Sequence, residues 1–325
     1  MKLYSNVVRI LTLCVLIASA GLACAQQTYP NKPIRVIVPY PPGSATAALA
    51  RLFGQKLTES WGQQVLVDER GGGNTIIGSE SLVKSSPDGY TIMAMMSTHV
   101  IVPLINPAPF DAVKDFAPVS SLTRNELVMA INPSVPASNL QEFIALAKSK
   151  PGQLNFASGG TGSVTHLTAE LFDILAEVKM QHVPYKGPGQ VMPDLIGGRV
   201  QLFFTSPMVV MPHSKSGKLR VLAISGEKRL STMPDVPTFT EAGLPGFDAK
   251  VWFGTVAPVS TPKGIIDKLA TEIARIATLP DVKNTVASLG MEPFVTTPDQ
   301  FGALMKADSA RYAKIIKTAN IKVEN

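Results

Sequence analysis

The stretch Ile34-Arg35-Val36-Ile37-Val38-Pro39-Tyr40-Pro41-Pro42-Gly43-Ser44 reads as an apolar strand running into a turn of prolines and glycine. A helical period follows, with Leu49, Leu52, Phe53 and Leu57 on one face and no acid in the first turn. The same build recurs one domain later. Leu154-Asn155-Phe156-Ala157-Ser158-Gly159-Gly160-Thr161-Gly162-Ser163 leads into a helix with Val164, Leu167, Leu171 and Leu175 on one face. A helix N-terminus carries unpaired N–H groups and about half a positive charge, which suits a carboxylate or phosphate. Glycines let backbone approach a ligand closely. Two such junctions in one chain predict two half-sites that close on one small anion.

Around these two units, short β-rich runs alternate with helical periodicity, the pattern of an α/β fold with mostly parallel sheets. Strands are predicted at 34–38, 64–68, 90–96, 127–131, 154–157, 200–204, 219–224 and 251–257, and helices at 46–60, 75–84, 139–149, 164–177, 191–197, 262–279 and 298–317. The last helix has explicit start signals: Thr297 as cap, Pro298 in first position and Gln300 completing a capping box. Gly71-Gly72-Gly73, with Asn74 as the expected cap, predicts a third helix N-terminus of the same kind. The proline-rich stretches Pro103–Pro118 and Pro234–Pro245 read as ordered connections. They bracket the middle of the chain. The expected organisation is a first lobe of residues 26–124 with 228–325, and an inserted second lobe of residues 125–227. Two chain crossings would form a hinge beside a ligand cleft.

Residues 1–25 have the form of an export signal. Lys2 and Arg9 flank a charged start, Ile10 to Ala23 is apolar and uncharged, and Ala23-Cys24-Ala25 is a cleavage site of the small-x-small kind. Both cysteines, Cys14 and Cys24, fall inside it, so the exported chain is expected to carry no disulfide and no thiolate metal site. The full chain has 30 basic and 24 acidic residues. Without Lys2 and Arg9 the excess falls from +6 to +4, which suits an anionic small ligand. No basic cluster alternates with aromatics, which excludes a nucleic-acid surface.

Enzyme motifs fail. There is no Gly-x-Ser-x-Gly, Gly160-Thr161-Gly162 lacks the third glycine of a dinucleotide fingerprint, and no Lys-Ser or Lys-Thr completes a phosphate loop at Gly159–Ser163. His99, His166, His182 and His213 are not at metal-ligand spacing, so no metal and no cofactor is expected. Several polar residues sit where ligands bind in open α/β sheets, beyond strand ends: Ser97-Thr98 and Thr205-Ser206. His166, three residues into its helix, is a candidate to reach a ligand oxygen. Tyr185-Lys186-Gly187 reads either as a turn or as a cation near the cleft. Trp252 and Phe253 read as core.

From Tyr29 to about Pro262 the chain resembles the Bug-type substrate-binding proteins of tripartite tricarboxylate transporters. The resemblance rests on Tyr29 to Gly43, Pro87-Asp88-Gly89-Tyr90-Thr91, Val183-Pro184-Tyr185-Lys186-Gly187, Gly217-Lys218-Leu219-Arg220, Pro234-Asp235-Val236-Pro237-Thr238 with Glu241-Ala242-Gly243, and Trp252-Phe253-Gly254. It implies a two-lobed periplasmic clamshell that captures a small carboxylate and presents it to a membrane permease. It implies that backbone N–H groups and ordered water hold the ligand, from Tyr40, Pro42, Gly43, Ser44, Ala45 and Thr46 on one side. On the other side stand Ser158, Gly159, Gly160, Thr161, Gly162 and Ser163. Two positions depart from the family's usual Gly and Asp: Ser44 and Ala47. Losing the acid at Ala47 disfavours ligands that carry an ammonium group. The chain is expected to act as a monomer. Rival readings are a binding protein that signals to a membrane sensor, a secreted hydrolase using Ser158 or Ser163 with His166, and a structural envelope protein without a ligand.

Overall fold

Strand β1 (Ile34–Val38) is flanked on both sides by parallel strands, and all of it but Arg35 is buried. Burial on both faces is why its sequence is a continuous apolar run and not an alternation. The structure is a computed structural model describing residues 29–40, 42–72, 75–185 and 188–321. The expected export signal, Gly73-Asn74 and Lys186-Gly187 lie outside the described residues.

In chain order the elements are β1, α1 (Ala45–Trp61), β2 (Val65–Glu69), α2 (Ile76–Val83), β3 (Thr91–Met96), α3 (Thr98–Ile105) and β4 (Phe116–Glu126). Then come β5 (Val128–Ile131), α4 (Leu140–Ser149), β6 (Asn155–Ser158), α5 (Val164–Ala176), β7 (Gln181–Pro184), α6 (Pro188–Ile196), β8 (Leu202–Thr205), α7 (Pro207–Lys215) and β9 (Arg220–Ile224). The chain ends with β10 (Lys250–Pro258), α8 (Lys263–Ala277), α9 (Pro280–Ser288), β11 (Glu292–Pro293) and α10 (Pro298–Thr318). They form a six-stranded sheet, β11-β4-β10-β3-β1-β2, and a five-stranded sheet, β7-β6-β8-β5-β9.

Both sheets are mixed, where mostly parallel sheets were expected. The cause is the way the chain crosses between them. It leaves the first sheet along β4 and returns beside it along β10, with Lys250 opposite Glu126. It enters the second along β5 and leaves beside it along β9, with Val128 opposite Ile224. An entering and a leaving strand side by side must run antiparallel. The strands that carry the two glycine turns remain parallel to their neighbours: β1 to β2 and β3, and β6 to β7 and β8.

Helix α1 buries Leu49, Ala50, Phe53 and Leu57 on the first sheet, while Leu52 stays half-exposed. Helix α5 buries Val164, Leu167 and Phe172, with Leu171 and Leu175 at the edge. The return segment 225–249 packs on the second sheet. Phe239 and Phe247 stack at 3.9 Å, and both meet Phe172 and Phe204. Each buried phenylalanine stabilises by about 1.5–3 kcal/mol, and aromatic pairing adds about 0.5–1.5 kcal/mol.

The capping box at Thr297 and Gln300 forms as its sequence signals. Helix α10 then crosses the first sheet, where Trp252 Nε1–H donates to Asp308 Oδ2 at 2.6 Å and Phe301 meets the Trp252 ring edge-on. Trp252 and Phe253 are core residues. Farther along, α10 touches both α3 and α5, bridging the two sheets' helices.

Candidate functional site

Strands β1 and β3 run parallel as neighbours, so the turn after β1 and the Ser97-Thr98 step after β3 share one sheet edge. A hydrogen bond ties them: Met96 N–H donates to Tyr40 Oη at 3.2 Å, and the Thr98 side chain faces the same oxygen. Burial raises the Tyr40 pKa, so the phenol stays protonated. Gly78 of α2 presses on the preceding residue, since a Cβ there would lie 2.6 Å from Pro39 Cβ. Thr75, ahead of α2, has φ 82 and makes no side-chain cap hydrogen bond.

Gly43 has φ +80 and introduces α1, whose N-cap is Ser44. Ser44 Oγ accepts from Ala47 N–H at 3.2 Å, and Ser44 O accepts from Ala48 N–H. Among the described residues, the N–H groups of Gly43, Ser44, Ala45 and Thr46 have no partner. Two buried hydroxyls nearby are also unpartnered: Thr46 Oγ1 on the first helical turn and Ser97 Oγ at the end of β3. Thr46 is 2% exposed and Ser97 0%. Buried hydroxyls normally find partners, and an orphan costs about 1–3 kcal/mol.

The second glycine turn follows β6, and the Thr205-Ser206 step follows its parallel neighbour β8. Here the structure uses up much of the expected donor set. Gly159 N–H donates to Thr165 Oγ1 at 2.9 Å, Gly160 N–H to Ser158 Oγ at 3.1 Å and Gly162 N–H to His166 Nδ1 at 3.1 Å. Ser163 N–H closes on Gly160 O, while Ser163 Oγ caps α5 through His166 N–H. The N–H groups that remain unpartnered among the described residues are those of Thr161, Val164 and Thr165. Val164 and Thr165 were outside the sequence-derived set, although any helix start leaves its first N–H groups open.

The expectations for His166 and Ser158 are therefore revised. His166 is 3% exposed, accepts from Gly162 N–H, and holds Nε2 3.4 Å from Glu170 Oε1. Both ring nitrogens face the protein, so His166 braces the turn. Ser158 Oγ is fully buried, 2.6 Å from His182 Nε2. Burial, with His166 stacked at 3.8 Å, depresses the His182 pKa to about 3. A base that weak would not activate a serine at neutral pH. Thr205 is buried at the strand end, and Ser206 is the N-cap position of α7 without a side-chain cap hydrogen bond. Tyr185 N–H donates to Ser158 O, and its hydroxyl donates to Asp194 Oδ2 at 2.8 Å.

The two turns approach each other through α3. This helix starts at Thr98 beside Tyr40 and ends at Ile105, against which Gly162 sits. Its eight residues span about 12 Å. Neither turn contains a charged side chain from Pro39 to Ala47 or from Ser158 to His166. Neither α1 nor α5 has an acid in its first turn. Each end can therefore meet an anion with backbone dipoles alone.

A family profile described as tripartite tricarboxylate transporter family receptor matches residues 49–321. The chain belongs to this family. The BugT protein of Bordetella pertussis is 35% identical over 98% of this chain and 100% of its own length. Rpa4515 of R. palustris, solved with adipate, superposes with a TM-score of 0.78 at 30% identity, covering 90% of this chain and 99% of that one. MatC of Rhodopseudomonas palustris, solved with bound malate, gives 0.73 at 28% identity, covering 89% and 100%. The protein is thus a two-lobed solute-binding receptor. Among the described residues, no helix is long and apolar enough to cross a membrane.

Proposed function

We propose that this receptor is exported to the periplasm, captures a small carboxylate between its lobes and delivers it to a tripartite tricarboxylate permease. The observation that carries the reading is the pair of acid-free helix starts with open N–H groups, one of them beside the orphaned hydroxyls of Thr46 and Ser97. In this reading Gly43, Ser44, Ala45 and Thr46 hold one end of the anion. Thr161, Val164 and Thr165 close on it from the other side, with Thr98, Thr205 and Ser206 at the rim. Tyr40, Pro42, Ser158, Gly159, Gly160, Gly162, Ser163 and His166 shape the two turns. Charge-assisted hydrogen bonds are roughly twice as strong as neutral ones, so a few suffice without an arginine. The adipate and malate of the solved relatives support a dicarboxylate as ligand.

The lobes in this proposal are residues 26–126 with 250–325, and residues 127–249. The second boundary is later than the residue 227 read from sequence, because Phe239 and Phe247 pack on the second sheet. Ligand binding biases the hinge by its higher affinity for the closed form.

The test is a thermal-shift panel on residues 26–325, refolded to strip carried-over ligand. The panel spans di- and tricarboxylates, acidic amino acids and aromatic acids. A dicarboxylate at a hundred times its dissociation constant should add about 2.7 kcal/mol, or roughly 4 °C at this size. A flat panel from a well-folded sample would overturn the proposal.

A further inference from the structure

We propose that a second small-molecule site, separate from the carboxylate cleft, lies on the flank of the hinge and takes a primary amine with a short apolar body. A cavity of about 230 Å³ opens there between the end of β4, the start of α7 and the turn joining α9 to β11. It is not part of the cleft just described. On the first lobe that cleft lies beyond the ends of β1 and β3, whereas this cavity lies at β4 and β11 with β10 and β3 intervening; on the second lobe the two are neighbours, Ser206 of the cleft rim preceding Pro207 and Met208 of the cavity wall. Three inter-strand spacings separate β4 from β1, about 14 Å.

The wall is apolar and thioether-rich, made by Met208, Met211, Met291 and Leu230. Sulfur against an aromatic ring is a favourable contact, and methionine adapts to irregular shapes. The polar end is made by Asn125 and Glu126. Asn125 is 9% exposed, and its Oδ1 has no hydrogen-bond partner among the described residues. Glu126 is 8% exposed, and its carboxylate is met by Ser225 Oγ at a long 3.3 Å. A buried acceptor left open, as Asn125 Oδ1 is, calls for a donor.

Charge selects the kind of donor. The ionisable groups lining the cavity are Arg124, Glu126 and Glu292, one cation against two carboxylates. Arg124 is ion-paired with Glu292 and acts on Glu126 only through space, without a hydrogen bond to it. Lys250 acts on Glu126 from the neighbouring strand, but its ammonium is engaged by Glu227 at 3.2 Å and Asp248 at 3.4 Å. An ammonium at Asn125 Oδ1 would satisfy that acceptor within the field of the neighbouring Glu126 carboxylate, and its apolar body would lie on the methionines.

The cavity is also a joint between lobes. A Cβ on Gly290 would lie 2.0 Å from Met208 Cγ, so the first lobe's turn interlocks with α7 of the second. An occupant touching Met208 and Met291 touches both lobes, and its binding is coupled to their arrangement.

The test is a titration of the full chain with benzylamine, followed by NMR of labelled methionine ε-methyls. The signals of Met208, Met211 and Met291 should move together and saturate, while those of the core residues Met93 and Met95 stay in place. Ala287, on the exposed rim, becomes a plug in Ala287→Trp, which should abolish the response. Asn125→Ala should weaken binding about tenfold, as loss of one charge-assisted hydrogen bond implies. With the carboxylate cleft saturated by succinate, benzoate, of the same shape and opposite charge, should leave these three signals unmoved. The absence of a saturable shift, an undiminished shift in Ala287→Trp, or an equal response to benzoate would each overturn the site. With the carboxylate cleft held saturated throughout, the response lost in Ala287→Trp, outside that cleft, separates this site from it.

Discussion

A Cβ placed on Gly162 would lie 2.8 Å from Ile105 Cδ1, so the glycine turn of the second lobe seats directly on the last residue of α3 in the first. Gly162 also has φ +76, a conformation that costs any other residue. Gly162→Ala should therefore lose about 1–3 kcal/mol of stability and bind carboxylate at least tenfold more weakly, because the lobes cannot close fully. Adding Ile105→Ala should restore much of the affinity but not the backbone cost. Calorimetric titration and thermal unfolding of the three variants separate the two effects. Wild-type affinity in Gly162→Ala would show that this contact plays no part in closure.

The orphaned hydroxyls give a prediction with an unusual sign. Thr46→Val removes a buried oxygen that has no partner and keeps the shape of the side chain. The unliganded protein should be as stable as wild type or more so, since the uncompensated group is gone. Carboxylate affinity should fall about tenfold, the worth of one charge-assisted hydrogen bond. Ser97→Ala should behave alike. A variant less stable without ligand and unchanged in affinity would mean that these oxygens serve the fold.

The sequence disclosed both strand–turn–helix units because their chemistry is local: an apolar run, a glycine with positive φ, and a Ser cap within a few residues. The box at Thr297 and Gln300 was legible for the same reason. The second turn's donor census was not. Whether Gly159, Gly160 and Gly162 present their N–H groups depends on where Thr165, Ser158 and His166 point, and nothing in the sequence fixes that. Strand β4 was missed because Pro118 and the polar run Ser120 to Glu126 hide it. Helices α3, α7 and α9 were missed because they are short and carry Pro103, Pro207, Pro212 and Pro280. Tertiary packing holds helices that propensity alone would not.

Acid and base act on this fold in opposite directions through buried groups. Burial raises the Asp173 pKa to about 7, and Glu170 adds to the shift. The stability Asp173 contributes at low pH is therefore lost as pH rises through about 7. Burial depresses His99 to about 4 and His182 to about 3, so each costs stability as pH falls below about 6.5. Asp173→Asn can still accept from Met180 N–H, which now donates to Asp173 Oδ2. It should be more stable than wild type at pH 8, by on the order of 2 kcal/mol. The gap should close by about pH 5, leaving the variant with the steeper acid loss. Denaturant melts across that range check the crossing, and a pH-independent gap would contradict it.

Ala47 bears on which carboxylates are accepted. It is fully buried in the first turn of α1, where its N–H takes the Ser44 cap. The resembling family often has Asp here, and an acid at a helix start is favoured by the dipole by about 0.3–1 kcal/mol. The same acid would stand close to the anion bound by Gly43 to Thr46 and repel it, unless the ligand also brings an ammonium group. Ala47→Asp should therefore weaken a simple dicarboxylate about tenfold or more, while acidic amino acids of the same length gain. Titrating succinate against aspartate, and glutarate against glutamate, on both proteins reads the switch directly. If the order of preference is the same with alanine and with aspartate, the side chain at 47 does not sense the ligand, and selectivity is set by the second lobe.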